Sequence, residues 1–306
     1  MTPAIGLSGG ERRAADERSP AFARAHRDDR SAHVVGRRAR LELAFERRGG
    51  RTVLAHAYVE PPFRIGRTFD LDGAAYAILV CAGPGVFGGD DLAQSIHVGP
   101  GARVVLTTQA ALQAHPAACA RHAPAIVQQR FIVDDDAELH GHWDPVIPFA
   151  GARLDQIVDI RLGESSRMYW SDALMAGRVT RGERWRFARL AHELTLSIAG
   201  RRAYVERYTL APADRAVERA WTARGAAYFS TAIVRDPRAS AETVEPLHRR
   251  LAAIEGVAAA VDLLEPSLAV ARLMAEGGAP FARARTSYRE WALASIFQRP
   301  ELAARK

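Results

Sequence analysis

Short stretches of alternating apolar and polar residues follow one another along the chain from residue 37 to residue 210. Leu41, Leu43 and Phe45, for example, alternate with glutamate and alanine, a period of two that is typical of a half-buried strand. Further strand patterns cover residues 52–59, 76–80, 92–98, 104–108, 127–133, 157–162, 168–170, 194–198 and 204–210. Because no long stretch with a clean period of 3.6 precedes residue 240, the first 210 residues are predicted to be nearly all β.

A weak internal repeat runs through this region. Residues 96–104, 132–139 and 160–168 each contain an apolar strand end, a turn, and a small and a charged residue that lead into the next strand. The turns begin at Gly99, Asp134 and Gly163, which are 35 and 29 residues apart. This spacing fits stacked strand–turn–strand units, and three hairpins that are similar by chance are the alternative.

The last 65 residues have a different pattern. Apolar residues at helical spacing predict one helix from Val244 to Ile254 and another from Phe281 to Ser295, and residues 257–273 predict a short hairpin between them. The predicted fold is therefore mainly β: a helical stack of β-strands in layered sheets, with two C-terminal α-helices around a short hairpin. We expect one β-rich domain over residues 36–306, with a β body over 36–210 and an α+β portion over 240–306.

The positive charge of the chain is concentrated near its start. The whole sequence has 42 Lys and Arg against 35 Asp and Glu, whereas residues 1–40 alone have nine Arg and five acids, a net charge of +4. Residues 1–35 are rich in Gly, Pro, Ser, Asp and Arg and predict a disordered basic tail. Since the rest is close to neutral and no Arg run is interleaved with aromatics, neither DNA nor RNA is an expected partner.

Cysteine use and hydropathy exclude several other classes. Cys81 and Cys119 are 38 positions apart and form no CxxC motif, which excludes a zinc knuckle and a thioredoxin-like site. The longest uncharged runs, 73–89 and 104–120, are interrupted by Gly, Pro or polar residues and cannot cross a bilayer. We therefore expect a cytoplasmic protein that does not use a membrane.

Two motifs could carry chemistry. The glycine-rich turn at residues 83–91 lacks the Lys of a phosphate-binding loop and ends in Asp90 and Asp91, so it favours a cation over a phosphate. A tight glycine turn that leads into the strand at residues 92–98 is the alternative. His140, His142 and Asp144 would share one face of a strand, and such a set suits Ni, Zn or Fe. An exposed strand end is the alternative, because prolines follow directly. Hydrolase motifs are absent, so no enzyme is predicted from the residues alone.

Five segments, taken in order, carry a resemblance to a known family. Residues 84–90 are similar to a Gly-Gly-x-x-Gly-Gly-Asp turn, and residues 100–109 contain a Pro-Gly-Ala turn and a Leu-Thr-Thr-Gln strand. Residues 145–153 are similar to Pro-x-x-Ile-Pro-Phe-x-Gly-Ala-Arg, residues 170–183 to Trp-Asp-x-Leu-Ala-Leu-Gly-Arg with a later Gly-Glu, and residues 206–210 to Glu-Arg-x-x-Leu. The matched positions include Gly88, Gly89, Thr107, Thr108, Gln109, Pro148, Phe149, Gly177, Arg178 and Glu183. The chain resembles the urease accessory protein UreD, also called UreH, from about residue 37 to 300.

The resemblance implies a role in urease maturation without catalysis. Proteins of this family bind apo-urease and, through UreF, the GTPase UreG, and they help to deliver nickel by way of a water-filled passage. No tightly bound cofactor is implied, and Ni²⁺ would bind transiently. The carboxylates in or beside the matched motifs, Asp90, Asp91, Asp172 and Glu206, are predicted to line the route of the metal.

The sequence departs from the family pattern in two internal segments, and the usual Pro-Arg-Ile-Trp ending is not present. Residues 110–116 and 140–143 differ from the usual segments that follow the Thr-Thr-Gln strand and precede the Ile-Pro-Phe segment. The alternative hypothesis is a β-rich metalloenzyme that uses His140, His142 and Asp144.

Aromatic side chains supply candidates for docking to a partner protein. We predict that at least one of Trp185, Phe187, Tyr204 and Tyr208 is a docking anchor, because aromatics dominate interface hot spots. For each of them, a position in the core is the alternative.

Overall fold

A computed structural model describes residues 36–116, 123–217 and 223–302 of the chain. The predicted tail of residues 1–35, and also Cys119, lie outside the described residues. In chain order the strands are β1 (Arg38–Arg48), β2 (Arg51–Val59), β3 (Phe63–Ile65), β4 (Phe69–Leu71), β5 (Ala74–Cys81), β6 (Asp91–Val98), β7 (Arg103–Thr108), β8 (Leu112–Ala114), β9 (Ala125–Val133), β10 (Glu138–His142), β11 (Val146–Pro148), β12 (Arg153–Leu162), β13 (Arg167–Ser171), β14 (Leu174–Met175), β15 (Arg189–Ile198), β16 (Arg201–Leu210), β17 (Tyr228–Arg235), β18 (Val257–Glu265) and β19 (Leu268–Ala275). The α-helices are α1 (Ala241–Ala252) and α2 (Gly278–Trp291).

These strands form two sheets. The first sheet has the order β16-β15-β12-β9-β6-β1-β2, with parallel pairing from β1 to β15 and an antiparallel strand at each edge. The second has the order β3-β5-β7-β10-β13-β17-β14-β11-β8, with β4, β18 and β19 off this path. The chain alternates between the sheets, so each pass from β6 to β15 adds one strand to the first sheet and two short strands to the second, and builds a helical stack, as predicted.

The turns that join the sheets lie on top of one another. The Gly101 N–H donates to the Asp135 carbonyl at 3.3 Å, and the Ser165 N–H donates to the Asp135 carboxylate at 3.1 Å. A Cβ on Gly163 would lie 2.5 Å from that carboxylate, so the third turn has room only for glycine. The repeat found in the sequence therefore corresponds to three stacked turns.

A hydrophobic core fills the space between the sheets. Phe131 on the first sheet packs edge-on against Trp170 on the second, with ring centroids 4.7 Å apart, and Trp143 lies 5.3 Å from Trp170. A Cβ on Gly141 would lie 2.8 Å from the Trp170 ring, so the glycine lets this ring approach the backbone. Truncating a buried aromatic of this kind to alanine costs about 3–5 kcal/mol of stability.

Helices α1 and α2 help to form a second core, with β17–β19 of the second sheet. Leu247 and Tyr288 from these helices are almost fully buried in it, together with Ala269. α1 begins at Ser240, whose side chain forms a capping box with Thr243, and the predicted helices and hairpin are confirmed. Within the described ranges, no helix is long and apolar enough to span a bilayer.

All ten predicted strand regions are confirmed, but the strand pattern missed β17 and the short strands β3, β4, β8, β11 and β14. The sequence of β17, Tyr-Phe-Ser-Thr-Ala-Ile-Val-Arg, shows no alternation of apolar and polar residues, because residues on both of its faces are buried. β17 pairs with β13, β14 and β19. It therefore joins the stacked strands to the C-terminal hairpin.

Candidate functional site

Polar side chains interrupt the apolar inner face of the first sheet. Gln94 and Gln129 lie in register on β6 and β9, and the Gln129 amide donates to the Gln94 oxygen at 3.2 Å. Gln156 and His192 lie in register on β12 and β15. All four side chains line one cavity, so parallel pairing has placed polar groups from four neighbouring strands along a common wall.

This first cavity has a volume of about 180 Å³ and lies between the two sheets. On the side of the second sheet its wall includes Thr108, Gln109 and Asp144. The Thr108 hydroxyl donates to the Asp144 carboxylate at 3.0 Å and accepts the Asp144 backbone N–H at 2.9 Å. Cys81 also lines this cavity, and burial raises the pKa of its thiol.

A second cavity, of about 510 Å³, lies beside the first. Its wall combines apolar residues of β18 and β19 with Glu206, Arg224 and Arg272. Asp172, Leu174 and Tyr208 line both cavities. The shared wall therefore contains a carboxylate and a phenol.

Asp172 is held at this shared wall by neighbours from three strands. Its carboxylate lies 3.8 Å from His192 Nε2 and accepts the Thr231 backbone N–H at 3.4 Å. The Tyr208 ring stacks on His192 with centroids 5.0 Å apart. Burial raises the pKa of Asp172, and the nearby charge of Glu206 raises it further, whereas the His192 charge opposes both effects.

Glu206 is nearly buried, with 9% of its surface exposed. Its carboxylate accepts hydrogen bonds from the Thr231 hydroxyl at 2.9 Å and from the Tyr204 hydroxyl at 2.9 Å. Burial and the Glu206 charge raise the pKa of Tyr204 to about 12, so this hydroxyl keeps its proton. Since Thr231 binds Asp172 through its backbone and Glu206 through its side chain, this one residue orients both carboxylates.

Asp90 and Asp91 lie elsewhere and are not among the residues that line the two cavities. Asp90 is 3% exposed and accepts hydrogen bonds from the Arg37 guanidinium at 2.8 Å and from the Phe87 N–H at 3.0 Å. Burial raises the pKa of Asp90, but these hydrogen bonds outweigh it and hold the pKa below its ordinary value. The Asp91 carboxylate accepts the Gln128 amide at 3.2 Å. Of the four predicted carboxylates, the structure brings together Asp172 and Glu206.

The glycine-rich turn packs closely against its neighbours. Gly85 has φ +128°, and a Cβ there would lie 2.1 Å from the Gln113 carbonyl. Gly88 precedes Gly89, whose φ is +89° and whose carbonyl would lie 1.9 Å from a Cβ on Gly36. The turn therefore needs glycine for steric reasons, and Asp90 closes it.

Several of the other matched positions meet at one place. The Arg178 guanidinium lies 4.1 Å from the Phe149 ring centroid and forms a two-point ion pair with Glu183. Gly177 has φ +125°, and a Cβ there would lie 2.4 Å from the Glu183 carbonyl and 3.3 Å from the Pro148 carbonyl. Thr107, by contrast, is buried in β7. The Ile-Pro-Phe and Gly-Arg segments therefore pack against each other.

The expectation that His140, His142 and Asp144 share one face requires correction. β10 ends at His142; both histidines lie near the Tyr169 ring, whereas Asp144 lines the first cavity. His140 is buried and lies 2.6 Å from the Glu138 carboxylate. Among the described residues, no group of three or more His, Cys, Asp or Glu side chains is arranged to hold a metal.

The predicted docking aromatics divide into two pairs. Trp185 and Phe187 are 7% and 2% exposed and belong to the core between the sheets. Tyr204 and Tyr208 are partly buried. Tyr204 donates a hydrogen bond to Glu206, and Tyr208 stacks on His192, which lies beside Asp172. The structure thus favours the core interpretation for the first pair and places the second pair beside the site.

Sequence reasoning missed six residues of the site: the wall residues Gln94, Gln129, Gln156 and His192, and also Thr231 and Arg272. His192 belongs to the regular alternation of β15, where a polar residue stands among inward-facing leucines. That irregularity was the available signal for a polar inner wall. Thr231 and Arg272 had no comparable signal, because their roles depend on pairing between β17 and β19.

A stack of parallel strands that encloses polar, carboxylate-lined cavities defines a class of β-rich protein with an internal polar site. The model of the family described as UreD urease accessory protein matches residues 37–306. The chain therefore belongs to the UreD family of urease accessory proteins.

Individual relatives agree with this assignment. The chain is similar to the urease accessory protein UreD of Sorangium cellulosum, with 34% identity over 188 residues, which are 61% of this chain and 58% of the relative. It is similar to UreD of Halalkalibacterium halodurans, with 31% identity over 60% of this chain and 69% of the relative. UreD of Anaeromyxobacter sp. is 28% identical over 84% of this chain and 87% of the relative. The chain thus spans little more than half the length of the Sorangium relative.

Proposed function

We propose that this protein is a scaffold and nickel carrier for urease maturation in the cytoplasm. It binds apo-urease and, through UreF, the GTPase UreG, and it lets Ni²⁺ pass between its two sheets to the urease active site. Nickel is the cargo of this process and is not retained. Catalysis is not part of the proposal, in keeping with the accessory role that the family name states.

The observation that carries the proposal is the shared wall of the two cavities. Asp172 lines both of them, Glu206 lines the second, and Gln94, Gln129, Gln156 and His192 extend the polar wall along the first. Amide and carboxylate oxygens can replace water around a divalent cation one ligand at a time. They hold such a cation less firmly than a thiolate cage would. A polar wall of this kind suits transit.

The route is tested by removing charge without changing shape. Asp172→Asn and Glu206→Gln should each lower the nickel content and the activity of urease matured in their presence, because a neutral amide attracts Ni²⁺ less strongly. Glu193→Gln is the matched control, since Glu193 forms an exposed pair with Arg207 on the neighbouring strand. If the double variant matures urease as well as the unchanged protein does, the route lies elsewhere.

The scaffold role is tested separately by co-purification. The unchanged protein and both carboxylate variants should form a complex with UreF and apo-urease, because Asp172 and Glu206 are largely enclosed. Failure of the unchanged protein to bind either partner at micromolar concentrations would contradict the scaffold role.

A further inference from the structure

The Arg272 guanidinium already forms an ion pair with the Glu206 carboxylate. Arg272 Nη2 lies 3.6 Å from Glu206 Oε2 and donates a hydrogen bond to the Tyr204 hydroxyl at 2.8 Å. We propose that Arg272 is the gate of the cation passage: its positive charge keeps divalent cations away from Glu206 until the side chain is drawn outward. This inference rests on the proposed passage through Asp172 and Glu206.

Strand pairing places Arg272 at this position. It lies on β19 directly opposite Thr231 of β17, the residue that orients Asp172 and Glu206. Arg272 also lines the second cavity, together with those carboxylates and Arg224. Among the described residues, the charged groups of this wall are two acids and two arginines, so their charges balance.

The carboxylate and the guanidinium differ in how firmly they are held. The Glu206 side chain is 10% exposed and is fixed by two hydroxyl donors, Thr231 and Tyr204. The Arg272 side chain is 58% exposed and sits on a flexible apolar stem. Arg272 can therefore rotate into solvent while Glu206 stays in place, because the Thr231 and Tyr204 hydroxyls keep the carboxylate oriented.

This difference defines how the gate would open. An acidic group on a docked protein partner offers Arg272 an alternative ion pair outside the cavity. Once the guanidinium leaves, Glu206 has an uncompensated negative charge that faces the same cavity as Asp172. Cation entry would then be coupled to docking by competition between two acids for one arginine.

The test measures Ni²⁺ binding to the purified full chain by equilibrium dialysis. Arg272→Gln should bind Ni²⁺ about tenfold more tightly than the unchanged protein, since removing one positive charge near the site removes a repulsion. Glu206→Gln should bind more weakly, and the double variant should show no gain. Arg201→Gln is the matched control, because Arg201 forms an exposed ion pair with Glu265 and should leave the affinity unchanged.

The outcomes separate the gate from the passage. If Arg272→Gln binds Ni²⁺ no more tightly than the unchanged protein while Glu206→Gln weakens binding, the gate is overturned and the passage stands. If neither Glu206→Gln nor Asp172→Asn alters Ni²⁺ binding, the passage itself fails. Arg272→Met, which keeps the apolar stem, replaces the Gln variant if that one unfolds. Loss of the fold in both variants would make Arg272 a structural group and overturn the proposal.

Discussion

His192 Nε2 and Asp172 Oδ2 face each other at 3.8 Å, at the point where the two cavities share a wall. The two residues come from different sheets: His192 lies on β15, and Asp172 follows β13 directly. The imidazole is 4% exposed, and the carboxylate is 23% exposed. The contact therefore joins the inner faces of the sheets.

Replacing His192 with Gln should raise the pKa of Asp172. The nearby His192 charge opposes the effect of burial on this carboxyl, so its loss leaves burial and Glu206 to favour the protonated form. The pKa is measured by NMR titration of the carboxyl carbon, with the exposed His56→Gln as control. An unchanged or lowered pKa in His192→Gln would contradict this assignment.

Glu138→Gln should strongly destabilise the fold. The Glu138 side chain is 5% exposed and contacts Arg167 at 2.9 Å, Arg103 at 3.6 Å and Arg299 at 3.7 Å, besides His140. Removing the charge leaves several cations without their shared partner, which costs about 3–5 kcal/mol in buried pairs. The free energy of unfolding in urea measures the effect. A loss below about 1 kcal/mol would show that the arginines find other partners.

The same carboxylate makes stability depend on pH. Its histidine and arginine neighbours outweigh burial and lower the pKa of Glu138 from 4.5 to about 2. A depressed pKa stabilises the folded state above the unfolded value of 4.5, and this contribution is lost as the pH falls toward 2. The difference in urea midpoint between the unchanged protein and Glu138→Gln should therefore shrink from pH 5 to pH 2. A difference in urea midpoint that stays constant from pH 5 to pH 2 would contradict this pH dependence.

Gly177→Ala should destabilise the protein more than Gly182→Ala. Both glycines have positive φ, +125° and +71°, but a Cβ at Gly177 would meet the Glu183 carbonyl at 2.4 Å, whereas nothing lies within 4 Å at Gly182. Backbone strain alone costs about 1–2 kcal/mol, and the steric clash adds to it only at Gly177. Thermal unfolding of the two variants provides the comparison, and equal melting temperatures would contradict it.

His142→Ala should leave the metal content of the purified protein unchanged. His142 lies 6.4 Å from the Tyr169 ring centroid, and Asp144 is bound to Thr108, so the two do not converge on one ion. Metal analysis after purification without added metal measures the content. Stoichiometric metal that disappears in His142→Ala would support the alternative of a metalloenzyme.

The general form of the fold could be predicted because its signals are local. Alternation marked β1 and β2, and the turns at Gly99, Asp134 and Gly163 carried enough similarity to predict stacking. β17 escaped because a strand covered on both faces loses its alternation.

The site was only partly predictable, because it depends on register between distant strands. Asp172 and Glu206 could be chosen from the matched motifs, but only the pairing of β13, β17 and β19 shows that Thr231 and Arg272 lie beside them. Asp90 is a position where the sequence pattern suggested a site that the structure does not form. Adjacent acids after a glycine turn favour a cation, yet Arg37 from a segment 53 residues away binds this carboxylate.

The first sheet gains a single strand in each pass of the chain from β6 to β15, and this construction has an evolutionary consequence. Each parallel strand of the first sheet contributes one side chain to every row of residues that runs across the strands. A single substitution therefore changes one position of the inner wall and leaves the other positions unchanged. Gln94, Gln129, Gln156 and His192 are four such positions, of which Gln94 and Gln129 are coupled by their hydrogen bond. The selectivity of this wall can therefore drift or be re-engineered one residue at a time, while the stacked turns and the ladder of backbone hydrogen bonds keep the architecture constant.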